Sequence, residues 1–428
     1  MKKIISFILV LCFIFSTTVI SAFAMDSVNL NVPNAAVDHK INKLFDYYYS
    51  SLADNSTEEY SNICVENANT LFFKDFVEYD SLAKRMIDCK IETYRFEFEY
   101  VDYQSDATTA AATVNADFYF TYEDKKTESG IFNILYEFTF EKEGLVWYIS
   151  SIDCDFPGYT RVKEIAEKNN FRSFEDLFES ELQLLETNID NEDYIAEAYK
   201  TGAFEPVTVD ENENVMPRAS SYSYNAGRAA AWAIAHANDG TSTNAYFNYI
   251  SSGNCQNFVS QCVWAGYGGA VAGSGNVRQN ILNDVRMVTG SSGWYGCPRG
   301  YSDYTAAWAS VNTFWDFVTS NPSLGPKGTP YNDEGLYTSL SAINLTEGRV
   351  IQLRNGTRPA YNGNYQHSVI VSSTADSNIT STSYNKIYIC SNTSDYCDVP
   401  LKSYMIDYFG GSNCYMRMIK FNAAYFNS

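Results

Sequence analysis

The sequence predicts an α+β protein built from two units, and three observations carry that expectation. Near residue 90 the apolar pattern changes from a helical repeat to strict alternation. Periodicity then lapses between Glu205 and Ser220, a stretch that holds Pro206 and Pro217 and reads as an interdomain linker. Beyond it the composition shifts to Gly, Ser, Asn, Tyr and Trp, and helical patterns come before strand patterns.

The first element is a leader. Lys2 and Lys3 form a basic start, Ile4 to Phe15 an apolar run, and Ala22-Phe23-Ala24 a small-residue cleavage site before Met25. Residues 1–24 therefore read as a signal peptide. The run is short for a membrane span, and no later stretch supplies one, so the mature protein is expected to have no span. Leu11 ahead of Cys12 argues against a lipidated N-terminus. The expected location is outside the cytoplasm: secreted, extracellular or associated with the cell wall.

In residues 25–158 the pattern predicts a helix over 34–53, with Asn34 as N-cap and Val37, Ile41, Leu44, Phe45 and Tyr48 in one stripe. Tyr94, Phe96, Phe98 and Tyr100 then alternate with polar residues, as do Ala112, Val114, Ala116, Phe118 and Phe120. A third strand covers Ile131 to Phe140, and Glu143-Gly144 turns it into a fourth that ends at Ile152. Residues 159–220 form an acidic helical segment and the linker, with a capping box at Ser173 and Asp176. The helix, the long strands and the ending Trp147-Tyr148-Ile149-Ser150-Ser151-Ile152-Asp153 resemble the cone-shaped family of nuclear transport factor and SnoaL. That resemblance implies a curved antiparallel sheet. No polar cluster commits it to a ligand, and a spacer is the expected role.

Charge and cysteines set further bounds. The net charge is −21, and residues from Ser221 onward carry 12 Lys+Arg against 11 Asp+Glu, which leaves −22 on residues 1–220. An acidic front repels nucleic acid and anionic wall polymers, so nucleic acid is not an expected partner. The 34 Tyr and 27 Phe argue against disorder. Ten cysteines less Cys12 leave an odd number outside the leader, so at least one stays unpaired in an oxidising compartment. With three histidines and no Cys-x-x-Cys pair, neither a metal nor a cofactor is expected.

Residues 221–428 hold the chemistry. In Asn254-Cys255-Gln256-Asn257-Phe258-Val259-Ser260-Gln261-Cys262 a cysteine follows an expected N-cap, Asn254, and the apolar residues keep helical spacing up to Gly266. First-turn N–H groups and the helix dipole favour a thiolate there, so Cys255 is the candidate nucleophile. A thiol hydrolase needs a base and a group that orients the base. His236 lies in an alanine-rich helix and reads as packed or capping. His367 opens the strand His367-Ser368-Val369-Ile370-Val371 and is the candidate base. Asn392, on the next strand with Tyr388 and Cys390, is the candidate orienting group, with Asp395 in reserve. Asn257, Ser260 and Gln261 are expected to lock the helix. One of them, or the Cys255 amide, would serve an oxyanion hole. Trp308 and Trp315 read as core on one helix face, whereas Trp294, in a Gly/Ser-rich loop, reads as a cleft wall. Cys390 and Cys397 are close enough in sequence to bridge.

These residues resemble the amidase-domain family of bacterial secreted proteins, a branch of the NlpC-type and CHAP-type papain-like cysteine hydrolases. The likeness rests on Asn254-Cys255-Gln256-Asn257-Phe258-Val259-Ser260-Gln261, the spaced Trp294, Trp308 and Trp315, and the His367 strand. It extends to Asn392-Thr393-Ser394-Asp395 before Pro400-Leu401. It implies a papain-like fold and cleavage of an amide, with stem peptides of peptidoglycan as the expected substrate. Two positions depart from the family pattern: Asn254 stands for an aspartate and Asn392 for a histidine, which makes the arrangement Cys-His-Asn. Two other readings stay open. One is a secreted protease or acyltransferase on another amide. The other is a silent wall- or ligand-binding module with Cys255 in a disulfide.

Overall fold

The structure is a computed structural model, and it describes residues 33–53, 59–169, 174–201, 221–239, 246–269, 277–298, 302–356, 364–376, 378–410 and 414–426. The leader, the linker and Ser173 lie outside the described residues.

Helix α1 (Ala35–Leu52) starts where Asn34 accepts a hydrogen bond from the Ala36 N–H, and it buries the expected stripe. Helix α2 (Ala68–Met86) opens on a capping box between Asn67 and Thr70. The strands β1 (Ile91–Ser105), β2 (Thr109–Tyr122), β3 (Lys125–Glu143) and β4 (Val146–Cys154) form an antiparallel meander longer than the alternation alone delimits. Gly144, at φ +62°, makes the tight β3–β4 turn. The Phe45 ring of α1 inserts among Phe96, Phe98, Phe118 and Tyr136 at 5.0 to 5.7 Å, in edge-to-face contacts. The aromatic stripe is therefore core. A small cavity beside it, lined by Tyr48, Tyr49, Asp80, Lys84, Tyr122 and Ser403 among others, includes neither Cys255 nor His367. Helices α3 (Pro157–Asn169) and α4 (Phe174–Thr201) follow, tied by Arg161 and Glu181 at 2.5 Å.

The back unit comprises β5 (Ser221–Tyr222), α5 (Ala226–His236), α6 (Asn254–Gly266), α7 (Val277–Leu282), α8 (Ala306–Ala309) and α9 (Val311–Thr319). After them come β6 (Lys327–Tyr331), β7 (Val350–Asn355), β8 (His367–Thr374), β9 (Ile387–Asn392), β10 (Asp395–Pro400), α10 (Leu401–Phe409), β11 (Cys414–Asn422) and β12 (Ala424–Tyr425). The single helix expected across Trp308 and Trp315 is two. Ser310 takes an extended conformation between them and caps α9. Both tryptophans are buried.

The two units share one sheet, in the order β1-β2-β3-β10-β9-β8-β7-β11-β6, with β4 on the far half of β3. Gly130 to Phe132 of β3 pair with Cys397 to Asp395 of β10, whereas Tyr136 to Glu143 pair with β4. The changeover falls at Asn133, a non-glycine residue at φ +58°, opposite an irregularity in β2 between Ala116 and Phe118. Asp117 stabilises it by accepting from the Asn133 N–H at 2.8 Å.

Buried charges reinforce the junction. Lys125 of β3 pairs with Asp398 of β10, and Asp398 also accepts from Ser372 at 2.7 Å and Ser373 at 2.8 Å. Lys84 of α2 pairs with Asp407 of α10, and Lys402 of α10 with Glu192 of α4. One apolar cluster runs from Phe45 and Phe73 in the front to Leu353, Val369, Tyr388 and Tyr404 in the back. A second, on the other sheet face, gathers Ala229, Val259, Trp264, Trp308, Ile370 and Ile419.

Candidate active site around Cys255

The cysteine helix is placed by its own first turn. Gly253, not Asn254, is the N-cap residue, and it offers no side-chain cap. A Cβ on Gly253 would stand 2.2 Å from the carbonyl oxygen of Ala309, so only glycine allows α6 to approach the end of α8 this closely. Asn254 is the first helical residue and acts as a bracket instead. Its Oδ1 accepts from the Asn257 amide at 2.9 Å and the Ile250 N–H at 3.3 Å, and its Nδ2 donates to the Asn392 carbonyl at 2.7 Å and to Asn392 Oδ1.

Deeper residues hold the helix as expected. Asn257 donates to the Asn248 carbonyl at 3.0 Å and accepts from Trp308 Nε1 at 2.8 Å. Ser260 donates to the Trp308 carbonyl at 2.7 Å, and Gln261 is buried in the same helix. Asn257 and Ser260 are thus committed to backbone and indole, which leaves the first-turn N–H groups as candidate oxyanion donors. Trp294 is fully buried, 4.6 Å from the Trp308 ring, so it packs the core and offers no wall to a ligand.

Cys255 Sγ lies 4.0 Å from the Gln366 carbonyl, at the start of β8. The Ser368 N–H, the Thr393 hydroxyl and the N–H groups of Gln256 and Cys255 surround it and favour the thiolate. Burial outweighs them and pushes the thiol pKa above its ordinary value. The helix-start argument for a standing thiolate therefore fails, because the side chain is only 6 % exposed. Val311 and Tyr365 pack against Cys255, with Tyr415 beside them.

His367 stands on the same stretch of chain but on the opposite side of the sheet. The register pairs Ser368 with Gln352 and His367 with Leu353. Ser368 faces α6 and donates to Gln256 Oε1 at 2.6 Å. The His367 ring turns to α10, 4.3 Å from the Tyr408 ring and 6.0 and 6.3 Å from Phe409 and Tyr404. Its Nδ1 is enclosed and has no hydrogen-bond partner, and burial lowers its pKa to about 4. Cys255 and His367 are thus a neutral thiol and a neutral imidazole at rest, and no hydrogen bond joins them among the described residues.

Asn392 does not orient His367. Its Nδ2 donates to the Ala237 carbonyl at 3.0 Å and to Asp395 Oδ1 at 2.7 Å, and its oxygens receive Asn254. Asp395 also accepts from Asn133 Nδ2 at 2.6 Å. A polar chain therefore runs from the β3 changeover through Asp395 and Asn392 to Asn254, the residue before Cys255. The two positions that depart from the family pattern, Asn254 and Asn392, touch each other. His236 is paired with Asp239 at 2.7 Å and lies on the Trp232 ring at 4.2 Å, a packed role. Cys390 and Cys397 are both thiols, hydrogen-bonded to each other. Among the described residues no group of three or more His, Cys, Asp or Glu is placed to hold a metal.

The sequence reading missed Gly253 and Thr393. Gly253 carries no local signal beyond its place before the helix, and Thr393 stands out only once β8 and β9 are adjacent.

Comparison with known proteins bears on the back unit. No curated protein matches the sequence. Among solved structures, a hexachlorocyclohexane dehydrochlorinase (LinA) type 2 aligns with 28% of this chain and 84% of its own, at 9% identity and a TM-score of 0.20, a likeness too low to carry an argument. The family described as "Putative amidase domain" matches residues 223–417, which span α5 to β11 and include Cys255, His367 and Asn392. The back unit therefore matches an amidase-domain family across residues 223–417, which supports a generic amidase or hydrolase assignment for it.

Proposed function

We propose that this chain is a secreted, papain-like cysteine amidohydrolase acting on an amide of bacterial cell-wall peptides. The supporting observation is the placement of Cys255 at the start of α6, against the backbone of Gln366 and Ser368 that flanks His367. Cys255 attacks the carbonyl, and the first-turn N–H groups receive the developing oxyanion. His367 accepts the thiol proton and returns it to the leaving amine. Because both groups are neutral at rest, the thiol is deprotonated during attack, not beforehand. For that step the imidazole must leave the α10 rings and reach Sγ, and the unpartnered Nδ1 makes its resting position costly. Asn392 serves the site by holding Asn254, and Gln261 and Asn257 by holding α6.

Purified sacculi provide the test. Cys255→Ala is expected to lower amine release by at least about a thousandfold, and unchanged release would overturn the assignment. The buried thiol and its separation from His367 favour one second reading, a silent wall-binding module. Labelling the native protein with iodoacetamide separates the two. A Cys255 that reacts only after reduction or unfolding, together with sacculus binding, points to the module.

A further inference from the structure

Two arginines project from neighbouring strands onto the sheet face that carries Cys255, and the fold treats them differently. The register sets Arg417 opposite Gln352 and Arg354 opposite Tyr415, so alternation places all four on one face. Arg417 is fully occupied. Its Nη1 pairs with Asp333 at 3.0 Å, its Nη2 donates to Asn312 at 3.1 Å, and its Nε donates to Gln352 at 2.8 Å. Its role is structural.

Arg354 has no such set. Among the described residues no carboxylate lies within ion-pair distance of it, and its Nε is enclosed without a hydrogen-bond partner. The segments that follow β7 and precede β11, residues 357–363 and 411–413, contain no Asp or Glu. A hydrogen bond to the Tyr365 side chain and aromatic faces position the guanidinium instead, 4.0 Å from the Tyr415 ring centre and 5.4 Å from that of Tyr365. These are the rings grouped with Val311 around Cys255. The cation is therefore fixed one side chain away from the nucleophile.

A buried guanidinium N–H without an acceptor costs free energy that the fold does not recover internally. The guanidinium has no carboxylate partner among the described residues, and its planar fork matches a ligand carboxylate in two-point contact. We propose that Arg354 is the substrate-carboxylate receptor of the Cys255 site, so that the substrate class is an amide bearing a free carboxylate close to the scissile bond. The proposal rests on Cys255 being the nucleophile. Tyr365 and Tyr415 hold the fork in plane, and Arg417, with all its donors engaged, cannot substitute for it.

Two pools of N-acetyl tripeptides of mixed sequence, one ending in a free carboxylate and one in a carboxamide, provide the test with the full mature chain. Amine release should favour the carboxylate pool by about 10- to 100-fold in kcat/KM. Arg354→Gln should bring that ratio close to unity, and Arg354→Lys should keep part of it. Each ratio is measured within one protein preparation, so a loss of folded fraction cancels. A wild-type ratio near unity, or the same ratio in Arg354→Gln, overturns the proposal. If neither pool is cleaved in a Cys255-dependent way, the hydrolase reading falls, and calorimetric titration of Cys255→Ala with both pools decides the role of Arg354. Preferential binding of the carboxylate pool, lost on adding Arg354→Gln, supports the role. Equal binding of both pools overturns it.

Discussion

Acidification probes His367 most directly. The ring is half-buried with Nδ1 fully enclosed, and burial takes its pKa from an ordinary 6.5 down to about 4. The folded chain thus holds this proton less readily than the unfolded chain does. The resulting stability is complete above pH 6.5, falls as pH drops toward 4, and is lost below that. At about 1.4 kcal/mol per pH unit, the gap amounts to about 3 kcal/mol. Asp407 titrates in the opposite sense. Its burial and the neighbouring Asp80 raise its pKa to about 6 despite Lys84, so its contribution grows as pH falls. A difference measurement removes it.

His367→Phe keeps an aromatic ring against Tyr408 and has nothing to titrate. Urea unfolding of both proteins between about pH 7.5 and about pH 4 gives the stability difference, wild type minus variant. That difference should fall by about 3 kcal/mol across the range. A flat difference would refute the claim that the imidazole is held neutral by burial. With His367 in its proposed role as base, the same depression should place the acid limb of kcat/KM near pH 4 instead of 6.5, since the imidazole remains unprotonated until then.

Lys125→Met should cost about 3–5 kcal/mol, because it leaves Asp398 charged and enclosed. Front and back units should then unfold at one shared, lowered urea midpoint, followed by Tyr and Trp fluorescence and by circular dichroism. Asn254→Asp removes the donor to Asn392 and sets oxygens against oxygens, at about 1–3 kcal/mol. Adding Asn392→His restores a donor, and a double-mutant cycle read from melting temperatures should show positive coupling between the two sites.

Much of this architecture was legible because its signals are local. Alternation in Tyr94 to Tyr100 and Ala112 to Phe120 is a property of each strand alone, and Asn34 caps α1 with an oxygen two residues from its partner. The places of Cys255 at a helix start and His367 at a strand start were legible for a similar reason, since both starts are marked by their neighbours. What escaped depends on contacts distant in sequence. The thiol stays protonated because Val311, Tyr365 and Tyr415, all distant in sequence, cover it against the pull of its own helix. Asn392 was the expected partner of His367, but strand pleating turns that histidine to the α10 face, and Asn392 meets Asn254. Trp294 sits in a Gly/Ser-rich loop, a context typical of exposed residues, yet Trp308 draws it inside.

The β3–β10 pairing bears on how this protein can be made and how it could have arisen. The two units are not separate folds, because residues Gly130 to Phe132 complete the sheet of the back unit. A fragment beginning after the linker would carry β10 as an open edge, with Asp398 stripped of its cation. An edge of that kind templates pairing with other copies, so such a fragment should associate instead of staying soluble. The front half acts as a resident scaffold, supplied in cis, for the half that matches the amidase domain. The back unit is therefore not a portable cassette, and any relative that lacks the front half must protect the β10 edge by other means.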